Sequence, residues 1–169
     1  MFEIARIMRQ MEGRVEPLEA RPAAAHVVTM TNTVPFKLRK IDHVVLRVAD
    51  REKSLHFYRD VLGCPVELIQ DKIGLYQVRA GDSLIDLIPL NEPLGSMGGA
   101  GPGHEGRNVD HFALQIVPFD DAAIRSYLDA HDVEITGAGQ RYGAEGLGPS
   151  IYIKDPDGNV VELKGPPSN

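Results

Sequence analysis

Two stretches of this chain repeat one pattern, and that repeat constrains the fold more than any other feature. Asp42-His43 opens a run of alternating apolar residues, Asp110-His111 opens a second, and each run is followed by a helical segment and three further strands. At the far end of each half, Leu84-Ile85-Asp86-Leu87 falls on Val160-Val161-Glu162-Leu163, so each copy runs from a histidine to a carboxylate across its own four strands. A chain built this way is α+β, with two βαβββ modules rather than one continuous sheet.

In the first module, Ile41 to Val48 reads as a strand, with Val44, Leu46 and Val48 on one face and His43, Val45 and Arg47 on the other. Asp50 caps a helix through Leu62, whose stripe is Leu55, Tyr58, Val61 and Leu62, and Gly63 stops it. Strands Val66 to Gln70, Leu75 to Arg79 and Leu84 to Ile88 follow, separated by turn residues. In the second, Asp110 to Ile116 is the first strand and Asp120 or Asp121 caps a helix carrying Ile124, Tyr127 and Leu128. Val133 to Thr136, Ser150 to Ile153 and Val160 to Leu163 are the remaining strands, with Gly139 to Pro149 read as a glycine-rich loop. The sharpest local signal is Ser150 to Lys164, where Asp155-Pro156-Asp157-Gly158-Asn159 turns one β-branched run back on another.

The organisation follows: an N-terminal appendage over 1–36, a first module over 37–90, a Gly/Pro-rich linker over 91–108, a second module over 109–165 and a tail over 166–169. The linker holds six glycines and two prolines without a period. In the appendage Ile4, Ile7, Met8 and Met11 share a helical face, while Glu3, Arg6 and Arg9 interrupt any secretory pattern.

Charge and composition exclude some classes. The 18 basic and 24 acidic residues give a net charge of -6 without a Lys/Arg cluster, so nucleic acid is not the expected partner. No apolar run approaches the ~18 residues of a membrane span. The one cysteine, Cys64, excludes an intrachain disulfide framework and fits a cytoplasmic protein.

Strand alternation sets Val161 and Leu163 on one face and Val160, Glu162 and Lys164 on the other, leaving a carboxylate inside an apolar strand. An isolated glutamate there would face water, and a single inward histidine would be a satisfied core residue. Here both types recur at equivalent places in two related units. If the units pair by pseudo-twofold symmetry, two imidazoles and two carboxylates converge, a set suited to a divalent Mn, Fe, Co, Ni or Zn ion.

The sequences IDHVVLRVAD, FYRDVLG, DHFALQI and IYIKDPDGNVVEL together resemble the vicinal oxygen chelate superfamily of glyoxalase I, methylmalonyl-CoA epimerase, extradiol dioxygenases, fosfomycin resistance thiol transferases and bleomycin resistance proteins, over about residues 40–165. The resemblance implies two curved mixed sheets around a central cleft, with helices on the convex side, and metal ligands at His43, His111 and Glu162. Asp86 is the fourth candidate ligand: it stands where glyoxalase I has a glutamate and is one methylene shorter, which leaves binding directly, through water or not at all open. A glyoxalase-like lyase or isomerase is implied, acting through an enediolate on a small substrate that chelates the metal through adjacent oxygens, with a glutathione or other thiol adduct among the candidates and Glu162 shuttling the proton. Arg47 matches an arginine near the glutathione carboxylates, with a solvated strand end as its other reading; Tyr76, Gln115 and Arg141 are further candidates for lining the pocket. The alternatives are an Fe(II) dioxygenase using His43, His111 and Glu162, a thiol transferase, and a non-catalytic antibiotic-binding protein. The family habit and the open sheet edges imply a homodimer.

Overall fold

The computed structural model describes residues 35–103 and 105–168, so the helix expected around Ile4 to Met11 lies outside the described residues. Arg39–Asn169 is one compact unit. It contains two four-stranded mixed sheets of identical topology, each with its helix on one face, which is the expected pair of βαβββ modules.

In the first module β1 (His43–Val48) leads into α1 (Arg51–Leu55), capped by the Asp50 carboxylate, which accepts from the Lys53 amide at 3.1 Å. The helix widens into a π-helical stretch over His56–Val61 and stops at Gly63, whose φ of 70° suits glycine. Strands β2 (Val66–Gln70), β3 (Leu75–Ala80) and β4 (Ser83–Pro89) complete the sheet in the order β1-β4-β3-β2, with β1 and β4 parallel. The second module repeats this with β5 (His111–Gln115), α3 (Asp121–Ala130), β6 (Ile135–Gly143), β7 (Gly146–Lys154) and β8 (Val160–Lys164), in the order β5-β8-β7-β6. Asp120 caps α3, accepting from the Ala123 amide at 3.0 Å. Between the modules the linker contains a short helix, α2 (Pro93–Ser96), started by a proline whose missing N–H costs nothing in a first turn.

The glycine-rich stretch Gly139 to Pro149 is not a loop. It forms the arms of the β6–β7 hairpin, with Gly143 opposite Gly146 around a two-residue turn. Glycines at 139 and 146 adopt φ of 155° and 127°, which other residues avoid, so residues that read as breakers instead let the strands continue through a twist.

The helix-facing sides of both sheets share one apolar cluster. Val48, Leu55, Tyr58, Val78, Ile85 and Leu87 come from the first module, and Leu128, Ile151, Ile153, Val161 and Leu163 from the second. Each fully buried Leu, Ile or Val side chain contributes about 1.5–3 kcal/mol, so this cluster joins the halves within one chain. Polar staples reinforce it: the Tyr58 hydroxyl donates to buried Asp155 at 2.7 Å, and the Ala49 amide donates to Asp157 Oδ1 at 2.8 Å. Since the core uses one face of each sheet, the faces bearing His43 and Glu162 are the opposite ones.

Candidate functional site

On the second sheet, β5 runs parallel to β8 with Ala113 opposite Glu162. Glu162 shares its face with His111 and is only 5% exposed. Its Oε2 lies 3.2 Å from His111 Nε2, while its Oε1 accepts a short hydrogen bond from the buried Ser150 hydroxyl. His111 Nδ1 is 2.7 Å from Asp110 Oδ2. An ionised carboxylate can only accept, so Asp110 orients the ring through Nδ1 and turns Nε2 toward Glu162.

The first sheet repeats the arrangement more loosely. His43 Nδ1 is 2.9 Å from Asp42 Oδ1, and buried Asp86 occupies the place of Glu162, opposite Val45. Both Asp86 oxygens accept from Gln77 Nε2, at 2.9 and 3.1 Å. The Asp42 hydrogen bond, and then the Asp86 charge, raise the His43 pKa above its usual value. Each histidine therefore has a carboxylate behind Nδ1 and another on the strand beside it.

The remaining expected residues divide. Gln115 lies on the His111 face and donates to Glu145 of the β6–β7 turn at 2.6 Å. Arg141 is on the same face, its guanidinium 5.7 Å from the centre of the Tyr152 ring. Tyr76 does not reach the corresponding face of the first sheet. It pairs with Leu87, is buried among the core residues, and its hydroxyl accepts from Arg51 at 2.8 Å on the helix side. The reason is strand parity: Gln77, not Tyr76, shares a face with Asp86. Arg47 is on the His43 face, but its donors are taken by the backbone carbonyls of Gly95, Gly98, Gly99 and Ala100 at 2.6 to 3.0 Å. It ties the linker to the sheet and is not free to meet a ligand carboxylate in this arrangement.

Two participants were missed in the sequence. Ser150 lies one strand away from Glu162 and reads as an ordinary strand serine. Tyr152 is directly opposite Glu162, and its ring meets His111 edge-on at 5.5 Å. Burial, followed by the Glu162 charge, raises the Tyr152 pKa, so its phenol stays protonated near neutrality.

The model of the Glyoxalase/Bleomycin resistance protein/Dioxygenase superfamily matches residues 40–163, which span both sheets up to Leu163 of β8 and include His43, Asp86, His111, Ser150, Tyr152 and Glu162. The chain belongs to this superfamily. Virulence protein STM3117 of Salmonella typhimurium is 32% identical over 132 residues, covering 78% of this chain and 87% of the relative. The mouse mitochondrial methylmalonyl-CoA epimerase is 30% identical over 142 residues, covering 76% of this chain and 74% of the enzyme. The crystal structure of STM3117 superposes with a TM-score of 0.60 at 26% identity, covering 78% of this chain and 100% of that one.

The glyoxalase-superfamily modules hold their nitrogen and oxygen donors as two pairs, one per sheet. Among the described residues no three His, Cys, Asp or Glu side chains gather at one point to hold a metal ion. The donor chemistry nevertheless fits a divalent metal: two neutral-capable imidazoles with oriented Nε2 atoms, and two buried carboxylates. Each pair supplies half of such a set. An apolar recess of about 350 Å³ between Leu62, Ile124 and Leu163 lies on the helix side of the sheets, away from all four residues.

Proposed function

We propose that the protein is a metal-dependent glyoxalase-like lyase or isomerase that moves a proton at a carbon next to a carbonyl, on a small substrate presenting adjacent oxygens. The observation that carries this reading is Glu162, a buried carboxylate held by Ser150 through one oxygen while the other faces the Nε2 of an oriented histidine. His43, His111, Glu162 and Asp86 would hold the divalent ion, of the Ni, Co, Zn, Mn or Fe group. When bound, it would polarise the substrate oxygens and acidify the neighbouring C–H. Glu162 then has one oxygen fixed by Ser150 and one available to take the proton and return it. Tyr152, protonated and packed on His111, can offer a hydrogen bond to developing oxyanion charge. The 30% identity to a methylmalonyl-CoA epimerase supports proton transfer, whereas the superfamily as a whole includes ring-cleaving and binding members.

The two pairs belong to one site completed by a second copy of the chain. β1 and β5 each end their sheet, and around them Ile41, Val45 and Val109 are 78%, 47% and 60% exposed. Pairing β1 of one copy with β5 of another would cover these apolar residues and bring His43 and Asp86 to His111 and Glu162. A homodimer then carries two such sites.

The test is metal content and turnover together. Protein loaded in turn with Ni, Co, Zn, Mn and Fe(II) should bind at least one with a Kd of about 1 μM or better, near -8 kcal/mol. It should then exchange the α-proton of a hemithioacetal or an acyl thioester for deuterium. Glu162→Gln should keep part of the metal and lose the exchange. Wild-type protein that binds none of the metals would end this reading.

A further inference from the structure

The face that carries His111 and Glu162 also carries a buried cation with too few partners. Lys164 lies two residues beyond Glu162 on the same side of β8 and is 9% exposed. Its stem crosses β7 and β6 over two glycines: a Cβ at Gly143 would stand 2.9 Å from Lys164 Cε, and one at Gly148 would stand 2.8 Å from Lys164 Nζ. A side chain at Gly143 would press on the lysine stem, and one at Gly148 would meet the Pro166 carbonyl as well as the ammonium, so bare backbone at both positions leaves room for the lysine. At its end the ammonium, which has three N–H donors, meets a single hydrogen-bond acceptor, the Gly165 carbonyl, at 3.3 Å.

A second cation lies on the same face of the sheet. Arg141 is directly opposite Gly148 in the β6–β7 ladder. Its guanidinium donates to the neighbouring Gln140 carbonyl at 2.9 Å and rests against the Tyr152 side chain. Among the described residues neither Arg141 nor Lys164 has an ion-pair partner within 4 Å. Nearby carboxylates are engaged elsewhere: Glu162 by Ser150 and His111, and Glu145 by Gln115. A buried ammonium with one carbonyl acceptor, on a face where a second cation also lacks an ion-pair partner, is costly unless an anion joins it.

We infer that Lys164 and Arg141 form an anion subsite beside the His111–Glu162 pair, and that the ligand is an organic acid whose carboxylate binds there while its adjacent oxygens face the proposed metal. This rests on the proposed function for the role of His111 and Glu162, but the cation pair itself does not. A monoanionic carboxylate suits the balance of charge better than a phosphate dianion, because Glu162 and Glu145 flank the same face and would repel the second charge. The guanidinium offers a planar fork to the carboxylate, and the ammonium supplies a point charge.

The test uses two probes that chelate metals through adjacent oxygens and differ in one group: catechol and 3,4-dihydroxybenzoate. Both are titrated calorimetrically into the full chain, metal-free and nickel-loaded, for wild type, Lys164→Met and Arg141→Gln. Thermal melts of the variants confirm folding. Wild type should bind the acid at least about tenfold more tightly than catechol, and each variant should lower that ratio severalfold while leaving catechol affinity unchanged. An acid preference that is absent from wild type in both metal states, or that survives intact in both variants, overturns the subsite. An acid preference that depends on Lys164, with nickel adding nothing to the binding of either probe, leaves the subsite standing and removes the metal reading instead.

Discussion

The Tyr58 hydroxyl donates to Asp155 Oδ2 at 2.7 Å, joining the helix of the first module to the β7–β8 turn of the second across a distance of 97 residues in sequence. Burial, followed by the Asp155 charge, raises the phenol pKa well above its usual value, so Tyr58 remains the donor throughout the working range. Tyr58→Phe removes that one bond and leaves Asp155 with its contacts to the Asp157 and Asn159 amides and the Asn159 side chain. A hydrogen bond to a charged group contributes about 1.5–3 kcal/mol. With three other donors remaining, the lower end is expected, a fall in Tm of about 3–6 °C. A melt indistinguishable from wild type would show that the joint depends on apolar packing alone.

If each site takes one donor pair from each of two copies, two defective chains can repair one another. His43→Ala and His111→Ala should each lose metal binding. Mixed after dissociation and reassembly, half of the dimers would be heterodimers, and one of the two sites in each would be intact. About one quarter of wild-type metal content should return. A mixture that stays as empty as its parents would place the complete site within a single chain.

Arg47 gives the linker its order. Its five contacts to carbonyls between Gly95 and Ala100 hold α2 and the following turn against β1. Arg47→Ala should accelerate amide hydrogen exchange across residues 94–100 by about tenfold or more, the change given by about 1.4 kcal/mol of lost local stability. Arg47→Lys should behave almost as badly, because an ammonium cannot span four carbonyls set in a fork. Exchange at wild-type rates in both variants would contradict the assignment.

Asp157 predicts a pH dependence of opposite sense to that of a surface ion pair. Burial, the largest cause, and the nearby Asp155 charge raise its folded-state pKa above 3.8, against the pull of the Ala49 amide. A carboxyl raised on folding contributes stability that is fully present below the unfolded value and is lost as pH rises through the folded one. Urea titrations of wild type and Asp157→Asn between pH 3.5 and 7 should therefore show the difference moving in favour of wild type as pH falls. A difference that is flat, or that moves the other way, would reject the assignment.

The repeat, the strand order of residue types and both caps were legible because they depend on local pattern: Asp50 and Asp120 precede apolar stripes, and Asp42-His43 matches Asp110-His111. Tyr152 and Lys164 were not, because their roles depend on the β6–β7 register, and the glycines that set it resemble those of a loop. Tyr76 was misplaced by one position of strand parity, the smallest error a period of two allows. Arg47 was placed on the correct face, but its partners are carbonyls of a glycine-rich linker that carries no side-chain signal. The superfamily resemblance named His43, His111 and Glu162 directly, whereas Ser150, which holds Glu162, carries no motif.

The two halves of the repeat are not equal in how they hold their acids. Gln77 clasps both oxygens of Asp86, while Glu162 gives one oxygen to Ser150 and keeps the other toward His111. A molecule lying between such acids meets a fixed carboxylate on one side and a responsive one on the other. If the proposed proton transfer takes place there, its mirror-related faces would be distinguishable: a proton taken by Glu162 would be returned from the same side, and the product would have a single handedness even though the scaffold is nearly symmetric.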